Sequence, residues 1–204
     1  IIGPMASGAD VPVGSMGDDT PLAVLSTQPQ PLYRYVKQRC AQVTNPPIDP
    51  LRERAVMSLH TVLGPRGPLL DEMPTSSAVL RFDSPVIDEK QFGWLLGQAS
   101  FRPAVLSARW RIEDGPEGME AALEALCDDA VTAVEEGHGV LVVSDRGADE
   151  AHAPIPMLLA VSAVHQRLLR VGRRTRTALV ADTGEAREDH HVACLIGFGA
   201  ALVH

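Results

Sequence analysis

The sequence lacks most of what marks a membrane, redox or nucleic-acid protein. No uninterrupted apolar run approaches the roughly 20 residues that cross a bilayer, which excludes a membrane span. Cysteine is scarce. The 3 present, Cys40, Cys127 and Cys194, are odd in number, far apart and without a CxxC pair, so neither a zinc ribbon nor a redox couple is indicated. Reduced thiols in the cytoplasm are the simple expectation. Basic residues are outnumbered, 18 Lys+Arg against 26 Asp+Glu, for a net charge of −8. The single basic cluster, Arg170 to Arg176, is too short to overcome that repulsion of phosphate, so nucleic acid is not a partner. GxxxxGK, GxSxG and HExxH are also absent, which removes the phosphate loop, the nucleophile elbow and the two-histidine zinc helix. The opening residues carry no basic stretch and are broken by Pro4, Gly8 and Pro12, unlike a signal peptide. Ile1 in place of Met suggests a piece of something longer.

What is present suits a folded core. The 204 residues are 45% hydrophobic and 22% charged, with a mean hydropathy of +0.03. That is one ordinary domain or two small ones, and neither disordered, collagenous nor coiled-coil. Proline divides the chain. Of 16 prolines, 11 fall at or before Pro74, and proline lacks the donor that a central strand needs. Residues 1–75 therefore read as a proline-rich, helical and extended segment that wraps a larger surface. Two helices are expected in it. One runs from Leu32 to about Val43. The other is capped by Asp49 with Pro50 at its first position, carries Leu51, Ala55, Leu59 and Val62, and stops at Gly64-Pro65.

Residues 76–204 read as α/β repeats. Strands are expected at Ala104 to Trp110, Gly139 to Ser144, Thr177 to Ala181 and Gly199 to Val203. Helices are expected from Pro116 to Glu136, closed by Gly137, from Pro154 to Val171, closed by Gly172, and from Glu185 to Ile196. Strand–helix alternation gives parallel strands with right-handed crossovers, as a partial TIM-like barrel or an open sheet.

Ligands of parallel α/β folds gather at the carboxyl ends of strands, so Ser144 to Gly147 and Asp182 to Glu185 are the first candidates. Asp145 and Asp182 end neighbouring strands and, with Glu185 and His190, would serve a metal-assisted enzyme. The plainer reading makes Asp182 and Thr183 helix caps and lets Asp145 bond its own turn. His190 and His191 lie about 100° apart on a helix and cannot share one site. Gly14 to Pro21 offers a tight turn, yet Asp18 and Asp19 would repel phosphate. Gln42 to Pro50 holds consecutive prolines near polyproline II and leaves carbonyls unpaired within the segment; such a strip is usually a rigid connector.

Taken together, PMASGADVPVGSMGDDTPLAVLS, YVKQRCAQVTNPPIDPLRERAVMSLHTVLGPRGPLL, LVVSDRG, APIPMLLAVSAVHQRLLRVGRRT and TGEAREDHHVACLIGFGA resemble the bacterial-type glutamate synthase large subunit. The likeness covers nearly the whole chain and is weakest between Pro74 and Gly118. It falls on the central domain, between the N-terminal glutaminase domain and the FMN-binding synthase domain. The family's enzyme, an oxidoreductase with glutamine amidotransferase activity, takes amide nitrogen from glutamine. It passes ammonia through an internal tunnel and adds it reductively to 2-oxoglutarate, giving two glutamates. The resemblance implies an α/β topology like that of the flavin barrel without catalysis, metal or cofactor in this part. FMN and the iron–sulfur cluster belong to the parent enzyme's next domain. The implied partners are the adjacent glutaminase and FMN domains, ammonia in transit and a small reductase subunit.

On that basis Thr44, Asn45 and Ile48 are expected to line or gate an ammonia path. Pro46 and Pro47 hold its wall, and Asp49 is a further tunnel or interface candidate. Unpaired carbonyls would accept bonds from NH₃ without trapping ammonium. Gly17, Asp18 and Asp19 are expected to clamp an interface with the neighbouring domains. The chain departs from the family at Asp182-Thr183, where an acid followed by serine is more usual. It departs again at Asp189, where an apolar residue is usual, which leaves open how buried that helix face is.

Overall fold

The computed structural model describes residues 7, 23–36, 51–52, 55, 57–66 and 79–204. The centre is a four-stranded parallel sheet. It is built from β3 (Pro103–Ser107), β5 (Val140–Ser144), β7 (Ala178–Asp182) and β8 (Leu202–Val203), paired in that order. Register is direct, with Val142 opposite Val105 and Val180. Val86 bridges Val203 in parallel and so extends the sheet beyond β8. Among the described residues the strands form an open sheet.

The connecting helices follow their sequence signals. α2 (Gly115–Glu135) has proline in its first turn and stops where Gly137 takes φ +89°, a conformation that costs side-chain-bearing residues. α3 (Met157–Arg170) joins β5 to β7, and α4 (Asp189–Gly197) joins β7 to β8. β5 and β7 are buried along their whole length because both faces are covered, which explains their continuous apolar runs. Leu141, Val143, Leu179 and Ala181 meet Leu126, Ala130, Val161 and Val164 of the helices. Val140, Val142, Ala178 and Val180 face the other way, onto Leu63, Phe82, Phe92 and Leu95. The edge strand β3 is only half buried.

The second face is covered by elements that the periodicity did not announce. β1 (Thr61–Leu63) and β2 (Leu80–Phe82) form an antiparallel pair. α1 (Glu89–Leu96) starts with a capping box: Gln91 N donates to Asp88 Oδ1 at 2.7 Å and Asp88 N to Gln91 Oε1 at 3.0 Å, satisfying two orphan donors at once.

Several expected boundaries are corrected. The helix from Leu32 shows only a 3-10 turn, Leu32–Tyr35, and leaves helical geometry at Val36 (φ −96°, ψ 81°); residues 37–43 lie outside the described residues. Leu51, Arg52 and Ala55 are helical, but Val62 lies in β1, because Thr61 and Val62 are β-branched and find β2 as a partner. The strand expected from Ala104 to Trp110 breaks at Ala108. There the chain leaves the parallel sheet and β4 (Arg109–Arg111) pairs antiparallel with β6 (His152–Pro154). That pairing, with Pro156 behind it, delays α3 to Met157. The helix expected from Glu185 starts at Asp189 instead, because the residues before it are held by neighbouring loops. No helix among the described residues is long and apolar enough to cross a membrane.

Leu179 is fully buried in the middle of β7. Leu179→Ala is expected to lower unfolding free energy by about 2–5 kcal/mol, read as a shifted urea midpoint with an unchanged slope.

Candidate functional site

The carboxyl edge of the sheet gathers charge from four elements. Asp182 ends β7, is 3% exposed, and spends both carboxylate oxygens on the protein. Ser144 Oγ, at the end of β5, donates to Oδ2 at 2.5 Å. Arg146 Nε lies 3.0 Å from each oxygen, and His204 Nδ1, just past β8, lies 2.8 Å from Oδ1. Burial alone would raise the Asp182 carboxyl, but the bonds from Ser144, His204 and Arg146 outweigh it and hold the group below the usual carboxylate range. Glu89, in the first turn of α1, completes the cluster, 2.8 Å from Arg146 Nη2 and 3.3 Å from His204 Nε2. Phe92 stacks on the His204 ring at 4.2 Å, and the Arg146 guanidinium sits 5.5 Å over the same phenyl ring. The result is a closed clasp over the strand ends.

A second network lies beside it. Asp145 accepts hydrogen bonds from Thr183 Oγ1 and, at 3.4 Å, from Gly184 N. Thr183 Oγ1 in turn accepts from Glu185 N at 3.1 Å. Glu185 Oε2 accepts from Met157 N at 3.1 Å, so it caps α3, whose own N-cap, Pro156, makes no side-chain bond. Burial raises the Glu185 carboxyl, and the nearby Asp145 adds to it.

Tyr33 closes this corner. It is 2% exposed and stacks on His191 at 4.3 Å, while its carbonyl lies 3.1 Å from His190 Nε2. Its hydroxyl is buried and faces Glu185 without reaching hydrogen-bond geometry. Burial, then the charges of Glu185 and Asp145, push that phenol well above its ordinary range.

The expected strand-end acids are thus present but differently employed. Asp182 is a buried ion-pair partner and not a helix cap, because α4 starts seven residues later. Asp145 bonds the neighbouring loop, not its own turn. His190 meets Tyr33 and lies 3.6 Å from Cys194 Sγ. Among the described residues no group of three or more His, Cys, Asp or Glu side chains is placed to hold a metal ion. Asp189 is exposed in the first turn of α4, where an acid suits the helix dipole. Thr44, Asn45, Pro46, Pro47, Ile48, Asp49, Gly17, Asp18 and Asp19 lie outside the described residues. Sequence reasoning missed Arg146, His204 and Glu89 as partners of Asp182. The one available signal was that an acid ending a buried strand needs a cation near it.

The two carboxylates predict opposite pH behaviour. Asp182 titrates below its unfolded value, so its contribution is complete above about pH 3.9 and fades as pH falls through its folded pKa. Glu185 titrates above its unfolded value, so its contribution is complete below about pH 4.3 and is lost as pH rises through its folded pKa. Asp182→Asn should therefore lose about 2 kcal/mol at pH 7, discounted for the half-exposed Arg146, and flatten the acid limb. Glu185→Gln should keep or raise stability at pH 7. Urea midpoints from pH 3 to pH 8 decide; wild-type stability of Asp182→Asn at pH 7 would count against the clasp.

A family model described as the glutamate synthase central domain matches residues 1–204. The chain is 44% identical over 206 residues to the chloroplastic ferredoxin-dependent glutamate synthase of Oryza sativa subsp. japonica, covering 100% of this chain and 13% of the relative. Against the glutamate synthase (NADH) of Schizosaccharomyces pombe, identity is 41% over 207 residues, with 100% and 10% covered. Against the glutamate synthase (NADPH) large chain of Bacillus subtilis it is 42% over 193 residues, with 95% and 12% covered. The chain therefore spans 10–13% of the length of these relatives.

Proposed function

The chain belongs to the glutamate synthase central domain family, and from that premise we propose that it is the non-catalytic central domain of a glutamate synthase. In this reading it holds a glutaminase domain and an FMN and iron–sulfur synthase domain in register. It also forms part of the wall along which ammonia passes between them. The division into a wrapping segment, residues 1–75, and an α/β body, residues 76–204, belongs to the same proposal. So do the cytoplasm as compartment and a small reductase subunit as a further partner.

The observation that carries the reading is the closed carboxyl edge. In catalytic α/β folds the ends of the strands bind substrate. Here Asp182 is fully engaged by Ser144, Arg146 and His204, and Asp145 by Thr183 and Gly184. Such an edge supports scaffolding more than chemistry. Free Cys127 and Cys194, both buried, suit a reducing compartment.

The strip from Thr44 to Asp49 is the proposed conduit wall. Its prolines fix the backbone, and its neutral carbonyls accept hydrogen bonds from ammonia without protonating it. Gly17, Asp18 and Asp19 are the proposed interface clamp. In the parent enzyme, Asn45→Ala combined with Pro47→Gly should let glutamine hydrolysis outrun glutamate formation from 2-oxoglutarate. One-to-one coupling in that double variant would overturn the conduit role. The chain by itself is expected to leave flavin fluorescence unchanged on titration with FMN; saturable micromolar quenching would overturn the non-catalytic assignment.

A further inference from the structure

The opposite, amino edge of the sheet holds a cavity of about 530 Å³. Val62, Pro85, Ile196 and Ala201 give it apolar walls, and Arg66 and Arg174 supply cations. Its size lies within the usual range for small-molecule sites.

Arg174 is set rigidly. Its Nε donates to His165 Nδ1 at 2.9 Å, Nη1 to the Thr177 carbonyl at 2.8 Å and Nη2 to the Gly199 carbonyl at 2.8 Å. A guanidinium carries five N–H groups, so one on each Nη is left over. Arg66 is tied to the same corner by its backbone, Arg66 N donating to the Thr175 carbonyl at 2.8 Å. The second positive charge disfavours the first: burial and then Arg66 lower the Arg174 guanidinium. Among the described residues no carboxylate lines the cavity, and neither arginine forms an ion pair. The carbonyls and the negative end of α4 offset part of one charge; nothing described offsets the other. His60 also lines the cavity but faces Asp83 at 3.1 Å.

Two like charges beside a half-enclosed apolar pocket are stabilised by an anion with an apolar body. We infer that this cavity binds a small organic carboxylate, its head group between Arg66 and Arg174 and its chain against Val62 and Ile196. A phosphate group would satisfy the same cations, but bare phosphate would leave the apolar walls unused. The site lies across the sheet from the clasp, so it stands independently of the scaffolding role.

Calorimetric titration of the chain with hexanoate, hexylammonium and inorganic phosphate tests it. Hexanoate is expected to bind saturably, hexylammonium not at all, and phosphate more weakly than hexanoate. Arg66→Met, at an exposed side chain, should weaken hexanoate by about fivefold or more, and Val62→Trp should block it by filling the pocket. Circular dichroism of both variants confirms that they are folded. Absent or non-saturable hexanoate binding, equal binding of hexylammonium or phosphate, or full retention of binding in folded Arg66→Met would each overturn the assignment.

Discussion

A carboxylate buried at the end of a central strand cannot be left alone, and the carboxyl edge of this molecule is organised around that constraint at Asp182. An ionised group that is 3% exposed costs several kcal/mol unless its oxygens are bonded and its charge is met. The partners arrive from three directions: Ser144 from the neighbouring strand, Arg146 from the following loop and His204 from past the last strand. Meeting them fixes the spacing of β5, β7 and β8 at one end. Arg146 and His204 then recruit Glu89, which brings α1 and its Phe92 and Leu95 over the second face of the sheet. The energies are unequal. The pair between Arg146 and Glu89 joins side chains that are 52% and 76% exposed, and such pairs are worth little. The value lies in not stranding Asp182.

The second network shows the same economy. α3 has no polar residue to cap its first turn, since Pro154 and Pro156 precede it. Glu185 reaches across from the loop after β7 to accept from Met157 N, and a negative group there also suits the helix dipole. Holding Glu185 in that role keeps residues 185–188 out of α4. Tyr33 then seals the joint from the proline-rich part of the chain, packing within the same core as Leu179 and Leu195. The segment from 32 to 35 is thereby attached to the α/β body through a ring stack and buried area. That matters for a stretch with little apolar surface of its own.

The sequence made some of this legible and hid the rest for definable reasons. β5 and β7 could be read because strands covered on both faces leave continuous apolar runs. α2 could be read because proline and glycine mark its ends. α1 was hidden because it is short and has Gly93 in its middle. β6 was hidden because three residues carry no period, and its last residue, Pro154, reads as the start of the following helix. Asp182 was rightly singled out as a strand-end acid, yet its use was misassigned. Capping is local and visible in sequence, whereas Arg146, His204 and Glu89 meet it only after the sheet and α1 have assembled. Family resemblance, resting on long ordered motifs, reached further than periodicity did.

The two edges of the sheet differ in a way that follows from the direction of its strands. Parallel strands with helical crossovers present helix N-termini at the carboxyl edge and helix C-termini at the amino edge. Acids collect at the first: Glu185 at the start of α3 and Asp189 at the start of α4. Arginines collect at the second: Arg167 and Arg170 in the last turn of α3, with Arg174 just beyond. Each placement is favoured by the helix dipole. At the carboxyl edge Arg146 and His204 bond the acids Asp182 and Glu89. At the amino edge Arg174 donates to His165 and to the carbonyls of Thr177 and Gly199, and among the described residues neither it nor Arg66 forms an ion pair. The α/β body thus closes the edge at which such folds usually bind ligands and leaves cationic capacity at the other.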